Sequence, residues 1–370
     1  MTKIAILGAG QIGQAVYSII NALKKGLSGH SIFVNTELVI IDNLGSNLAG
    51  SIKADLTTID IHGLSSLLIS HNVSYVINAL PFYLNKTAST AALMANCSYI
   101  DFTEDDISAD YTNKLYSDFN KNLTCATKCG LAPGFINYIG YSLANKIPNP
   151  KSLVVSVGAL PRSVSYDRAH PEHSYNLTWS VDGLVNEYIR PCRVKVDGIE
   201  VSVEPLKNRS TVILDGIEYE ADYTSGGVGS LVTDLTNVPN VHYMTLRYPG
   251  HYDYVKGMII KHNANFDEIR KEFVNKFPTT NDDVIIVYVN ALGKNEHGLP
   301  VRRSYFNKFY GVDGLTGIQS TTAGSGVAML ELMLELKVSG VVKHSDVNID
   351  EFMSTLSFKH FYNTTKVSSI

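Results

Sequence analysis

The sequence predicts an α/β protein, a doubly wound parallel sheet followed by a second α+β domain on a mixed or antiparallel sheet. Three observations predict it. Short apolar runs alternate with helical patterns over the first third of the chain; alternating strands with Asp-Gly turns take over near residue 134; and 370 residues exceed one ordinary domain. The expected division is residues 1–133 for the first domain and 134–317 for the second. A helix around 318–340 is expected to return to the first.

Residues 4–7 form a short apolar run of strand length, and Ile12, Val16, Ile19, Ile20 and Leu23 then repeat at helical spacing. A second strand covers 38–41 and ends in Asp42. A third apolar stretch around 51–56 is indistinct. Residues 75–80 read as a strand, 87–95 as a helix, and 99–102 and 124–127 as further strands. After a helix at 136–145, the pairs Asp197-Gly198 and Asp215-Gly216 sit between alternating apolar segments, the signature of tight hairpins. Residues 284–289 and 301–310 read as strands, and a helical pattern returns over 326–336.

The turn Gly8-Ala9-Gly10-Gln11-Ile12-Gly13 lies between the first strand and the first helix. In that context Gly8 permits the bend, Gly10 the approach of a phosphate and Gly13 the close packing of helix on strand. The N–H groups at the start of the helix then face the anion. This is the fingerprint of a Rossmann-type dinucleotide site, and the cofactor expected is NAD or NADP. Asp42 closes the second strand, where a carboxylate would accept from ribose hydroxyls and repel a 2′-phosphate, favouring NAD. Its spacing is long, 29 residues beyond Gly13 where about 20 is usual; the polar residues 25–36 can absorb the difference as a loop. Asn78, Ala79, Leu80 and Pro81 end another strand at the carboxyl edge of the sheet and are expected beside the ribose and nicotinamide.

Composition narrows the classes. Hydrophobic residues make up 45% and charged ones 18%, which suits a globular chain with a substantial core. Basic and acidic residues number 31 and 35 with no basic block, so nothing supports nucleic-acid binding. No apolar stretch approaches the roughly 20 residues of a bilayer span, and the four apolar residues after Lys3 are too few for a signal-peptide core. A cytoplasmic protein is expected. Cys97, Cys125, Cys129 and Cys192 match no zinc or redox spacing and read as reduced thiols.

From Cys129 onward the chain resembles the saccharopine dehydrogenase family, including its bacterial lysine 6-dehydrogenase relatives. The resemblance rests on Gly130-Leu131-Ala132-Pro133-Gly134, Gly158-Ala159-Leu160-Pro161, residues 175–183, Asn186-Glu187-Tyr188 and Leu246-Arg247-Tyr248-Pro249-Gly250-His251. It implies a dinucleotide domain plus an α+β domain carrying substrate contacts and a dimer interface. The activity implied is hydride transfer between a nicotinamide cofactor and the C–N bond of a lysine-related amino acid. Saccharopine cleaved to glutamate and an aldehyde is the family precedent. Ala132, where fungal-type saccharopine reductases tend to have aspartate, and Phe82, where they tend to have tyrosine, bring the chain closer to the lysine 6-dehydrogenase-like branch. A carboxynorspermidine reductase and a non-catalytic dinucleotide-sensing regulator are the other readings.

Oxidising an amine requires a base for the nitrogen's proton and donors for the substrate's carboxylate. Arg247 is the leading carboxylate clamp, because a guanidinium offers two parallel hydrogen bonds. His251 and Asp101 are the candidate bases. Trp179, the sole tryptophan, and Asn176 are expected to shape the substrate's surroundings. His170-Pro171-Glu172-His173 lacks helical ligand spacing and a third ligand, so no metal is expected. The glycine-rich residues 224–230 lack the Gly-Lys-Ser/Thr ending of a phosphate loop and are expected to wall the substrate cleft. The Tyr362…Lys366 spacing is read as chance.

Overall fold

The computed structural model describes residues 1–25, 31–43, 48–119, 122–162 and 175–364. The chain divides into two compact units, Met1–Tyr138 with Gln319–Tyr362 and Ile139–Ile318 with Asn363–Ile370. Of the three crossings between units, those after Tyr138 and Ile318 fall inside helices and the third, after Tyr362, follows the last helix.

The first unit begins with β1 (Thr2–Leu7), α1 (Gln11–Lys24), β2 (Thr36–Asp42), β3 (Ser51–Lys53), α2 (Ile61–Ser70) and β4 (Tyr75–Asn78). It continues through α3 (Asn85–Met94), β5 (Ser98–Asp101), α4 (Asp106–Phe119) and β6 (Cys125–Ala126) to α5 (Phe135–Asn145). With the late strand β15 (Val341–Val342), its seven described strands lie in the order β15-β6-β5-β4-β1-β2-β3, all parallel. Ala5, Leu7, Val39 and Ile41 pack with Leu64, Leu68, Ala88 and Ala91 of α2 and α3. Ile6 points the opposite way, toward α1, where a Cβ on Gly13 would lie 3.5 Å from its Cγ2. With both faces covered, the strands are apolar on both sides, which is why they read as continuous runs.

The second unit holds β7 (Asn149–Pro161), α6 (Val181–Ile189), β8 (Cys192–Val196), β9 (Ile199–Val203), β10 (Ser210–Leu214), β11 (Ile217–Tyr223) and α7 (Leu231–Asp234). Then come β12 (Asn240–Arg247), α8 (His251–Lys261), α9 (Phe266–Lys276), β13 (Asp283–Lys294) and β14 (Pro300–Tyr310). The sheet runs β10-β11-β12-β7-β13-β14, with β8 attached to β12 and β9 to β8. Central β7 is parallel to β12 and antiparallel to β13, so the sheet is mixed. At both Asp-Gly turns the two residues take positive φ, 49° and 84° at 197–198 and 52° and 72° at 215–216. That is the twist a two-residue hairpin needs.

The chain closes with α10 (Gly317–Leu334), β15 (Val341–Val342), α11 (Ile349–Ser354) and α12 (Leu356–Phe361). Helix α10 starts within a residue of the expected 318–340 span, well before the apolar pattern at 326–336. It begins at Gly317 because the buried Asp283 carboxylate accepts from the N–H groups of Gly317, 2.5 Å, and Ile318, 2.9 Å. That cap comes from another strand and leaves no local sequence signal. Helices α2 and α4 were not anticipated, since Gly63 and three serines interrupt the first and the second is mostly polar. Of the indistinct stretch 51–56, only Ser51–Lys53 pairs, as β3 on the edge.

Candidate functional site

The glycine turn sits where β1 ends. Gly8 takes φ +93°, and a Cβ on Gly13 would lie 1.9 Å from the Gly8 carbonyl oxygen, so helix and turn touch through backbone. Gly10 is different: φ is −71°, open to any residue, and a Cβ there would meet nothing within 4 Å. Gly10 is also the N-cap of a 14-residue helix with no side-chain cap and no acidic residue in its first turn. Gln11 is exposed and Ile12 half-buried at that end. Open space over an uncapped helix start fits a diphosphate, both for its N–H donors and for the helix dipole. The Asp42 Oδ2 accepts from the Ala9 N–H at 2.8 Å, so this carboxylate braces the turn from the end of β2.

Strand register carries the rest of this edge. Leu7 of β1 pairs beside Asn78 of β4, and Asn78 beside Asp101 of β5. At about 4.8 Å per strand, Asp101 stands roughly 10 Å across the edge from the glycine turn. Asn78 is buried and points inward: its Nδ2 donates to Asn85 Oδ1 and to Tyr99 Oη, both 2.8 Å, and its Oδ1 accepts from Leu80 N–H at 3.3 Å. Its side chain shapes the edge rather than facing outward. Ala79 and Leu80 are half-buried and Pro81 exposed; a Cβ on Gly8 would meet Leu80 Cδ2 at 3.0 Å, which sets Leu80 against the turn.

Asp101 is 1% exposed. Its Oδ1 accepts from the N–H groups of Lys128, 2.9 Å, and Thr103, 3.1 Å, while its Oδ2 is buried with no partner among the described residues. Burial pushes this carboxyl up to about 6, against the pull of those two N–H groups, the Lys128 charge and the Tyr99 hydroxyl. A carboxyl fixed through one oxygen and unsatisfied at the other, near neutrality, is equipped to exchange a proton.

In the second unit two residues with expected roles are enclosed. Arg247, at the end of β12, is 1% exposed. Its Nη2 donates to Glu187 Oε2 at 3.0 Å, Nε to the Tyr188 hydroxyl at 2.8 Å and Nη1 to its own neighbour's carbonyl, Leu246, at 2.9 Å. It is a buried ion pair sandwiched by the rings of Tyr175 and Tyr188, not an open clamp. His251 opens α8 at 0% exposure among Tyr175, Tyr188, Tyr252 and Phe277. Burial, then the charges of Arg247 and Arg209, drive its pKa well below the usual imidazole value. Its Nε2 lies 3.0 Å from the Tyr188 hydroxyl, and its Nδ1 is buried with no partner among the described residues.

Around this pair lie polar atoms that sequence reasoning did not single out. The Tyr175 hydroxyl, Thr178 Oγ1, Thr224 Oγ1 and His251 Nδ1 are buried without a hydrogen-bond partner among the described residues. The Tyr175 and His251 rings are 4.6 Å apart, and the Ser225 N–H, next to Thr224, donates to the Glu187 carbonyl at 3.0 Å. Unsatisfied buried groups are uncommon in a folded core, and the adjoining Tyr175 and His251 fit a polar ligand or ordered water. Trp179 and Asn176 are half-buried on the same segment, and Trp179 packs so tightly on α6 that a Cβ on Gly183 would lie 2.4 Å from its ring. Burial also raises the Glu187 carboxyl to about 7, opposed by Arg247.

In the glycine-rich segment a Cβ on Gly227 would meet the Tyr243 ring at 2.1 Å, so that glycine is a packing requirement. The Tyr362 hydroxyl donates to the Thr321 carbonyl at 2.8 Å inside the first unit; Lys366 lies outside the described residues. So do His170, Glu172 and His173. Among the described residues no three His, Cys, Asp or Glu gather as a metal site, and no helix is long and apolar enough to cross a membrane.

Fold and edge geometry together define a class: an α/β protein with a Rossmann-type parallel-sheet unit and a second, mixed-sheet unit. A family model, the saccharopine dehydrogenase C-terminal domain, matches residues 130–357, well over half of the chain. The chain belongs to the saccharopine dehydrogenase family. Among solved structures it is similar to the apo, histidine-tagged saccharopine dehydrogenase (L-Glu forming) from Saccharomyces cerevisiae, at 14% identity over 99% of both chains with a TM-score of 0.75. It is also similar to the homospermidine synthase from Legionella pneumophila in complex with NAD, at 14% identity, 98% of this chain and 90% of that one, TM-score 0.64. At such identities the likeness is one of fold.

Proposed function

We propose that the protein is a nicotinamide-dinucleotide-dependent dehydrogenase acting on the C–N bond of a lysine-related amino acid, saccharopine being the family precedent. The observation that carries this reading is the uncapped start of α1 with open space over Gly10, in a chain of this family. Gly8, Gly10, Gln11, Ile12 and Gly13 would hold the diphosphate, Asp42 the adenosine ribose, and the edge at Asn78, Ala79, Leu80 and Pro81 the nicotinamide half. The cofactor supplies hydride acceptance from the substrate carbon. The nitrogen's proton goes to Asp101 Oδ2, and water then adds to the C=N bond, releasing an amine and a carbonyl.

The test is turnover. NADH and NADPH binding is measured by fluorescence, and reduced-nicotinamide absorbance is then followed with saccharopine, lysine and a carboxylated polyamine. Saccharopine or lysine turnover is the expected result. Turnover of the polyamine alone would move the reading to the polyamine class, to which the homospermidine synthase likeness in fold gives some support. Tight NADH binding with no turnover on any of them would leave a dinucleotide sensor.

Asp42→Ala is expected to shift the ratio of NADH to NADPH affinity toward NADPH by about tenfold, roughly 1.4 kcal/mol. The repulsion of a 2′-phosphate is lost in that variant. An unchanged ratio would restrict Asp42 to bracing Ala9.

A further inference from the structure

Lys128 plays no part in the reading above except as a backbone donor. It sits in the loop after β6, at φ +59°, a conformation rare for a side-chain-bearing residue. That conformation does two things. It turns the Lys128 N–H onto Asp101 Oδ1 at 2.9 Å and holds the ammonium back on Asp106, at the start of α4. The lysine side chain is only 9% exposed, unusual for this residue type. Its carbonyl is fixed as well, lying 3.2 Å from His344 Nε2. One residue therefore grips the carboxyl by its backbone, while its buried ammonium, paired with Asp106, bears on that carboxyl through its charge.

We infer that Lys128 is a positioning residue for Asp101: its N–H fixes Oδ1, so that Oδ2 is the oxygen presented for proton exchange, and its ammonium offsets the cost of ionising a carboxyl in this buried place. This rests on the reading of Asp101 as the proton carrier. An unaided carboxylate at such depth would stay protonated well above neutrality. The other groups bearing on Asp101 do not supply the missing charge. Tyr99 brings a neutral hydroxyl. Cys125 and Cys129 are themselves held as thiols, burial pushing both up. Asp106 and His344 act on Lys128 rather than on Asp101. Lys128 is thus the cation acting on this carboxyl, and the charge pull on it belongs to this residue.

The experiment titrates Asp101 directly, by infrared difference spectra of the carboxyl band against Asp101→Asn, in the parent, Lys128→Met and Lys128→Arg. Methionine keeps the length of the stem and drops the charge. The midpoint is expected to rise by about one pH unit or more in Lys128→Met, at least a tenfold gain in proton affinity, and to return in Lys128→Arg. For amine oxidation Asp101 must be ionised to accept the proton, so the acid limb of kcat is expected to move up by the same displacement while NADH affinity holds. A midpoint unmoved in Lys128→Met overturns the inference. Full turnover by Asp101→Asn overturns instead the reading of Asp101 as proton carrier, so the two failures are told apart. Should Lys128→Met fail to fold, Asp106→Asn serves: it leaves the ammonium unneutralised, and the Asp101 midpoint is expected to fall. A rise or no change there counts against Lys128.

Discussion

Gly10→Val is expected to weaken NADH binding about 100-fold or more, roughly 3 kcal/mol, while leaving thermal stability within about 0.5 kcal/mol of the parent. The two halves of that expectation come from one geometry. Gly10 has an ordinary φ and a vacant neighbourhood, so the fold does not need its lack of a side chain. The anion does, since a branched side chain would stand where a phosphate meets the helix N–H groups. Gly13→Ala makes the contrast. Its methyl would be driven to 1.9 Å from the Gly8 carbonyl, and neither atom can swing away because both are backbone. Helix α1 must lift off β1, which costs about 3 kcal/mol or more. Calorimetric binding set beside thermal denaturation separates the two variants. Equal loss of stability in both would mean that Gly10 too is a packing glycine, and the diphosphate site would lose its main support.

Those glycines were legible because local backbone geometry is written in local sequence. The same holds for the hairpins at 197–198 and 215–216, where Asp-Gly supplies two positive φ values, and for the buried strands of the parallel sheet. What the sequence concealed has its cause in other parts of the chain. The start of α10 depends on Asp283, more than thirty residues earlier. β15 is two residues long and exists only because Val341 and Val342 find the edge of β6. Side-chain roles at the site were less legible still. Arg247 has a residue type suited to catalysis, yet Glu187 and Tyr188, about sixty residues earlier, take up its guanidinium, while Tyr188 meets only Nε2 of His251. Asp101 could be named from its place at a strand end. Its half-satisfied state could not, because it depends on the backbone of Lys128.

The Arg247–Glu187 pair gives the second large effect, and the two partners should not behave alike. Removing Glu187 as Glu187→Ala strands a guanidinium at 1% exposure, and a guanidinium cannot shed its proton at any workable pH. The expected loss is about 3–5 kcal/mol, a large share of the roughly 5–15 kcal/mol that stabilises a typical domain. Arg247→Met is expected to cost less near pH 6, because the remaining carboxyl escapes by staying protonated. Burial already holds Glu187 at about 7, above the ordinary 4.5, even with Arg247 pulling it down. The pH dependence then has a definite sign. A carboxyl whose folded value is raised contributes stability below its unfolded value and loses it as pH rises through the folded one. In the parent that loss falls between about 4.5 and 7. With the arginine gone the folded value climbs further, so Arg247→Met should keep losing stability above pH 7, at about 1.4 kcal/mol per pH unit. Glu187→Ala, with no carboxyl left to titrate, should lack that slope. Urea melts of the two variants across pH 5 to about 9 read both quantities; a flat Arg247→Met profile would mean that solvent reaches Glu187 once the arginine is removed.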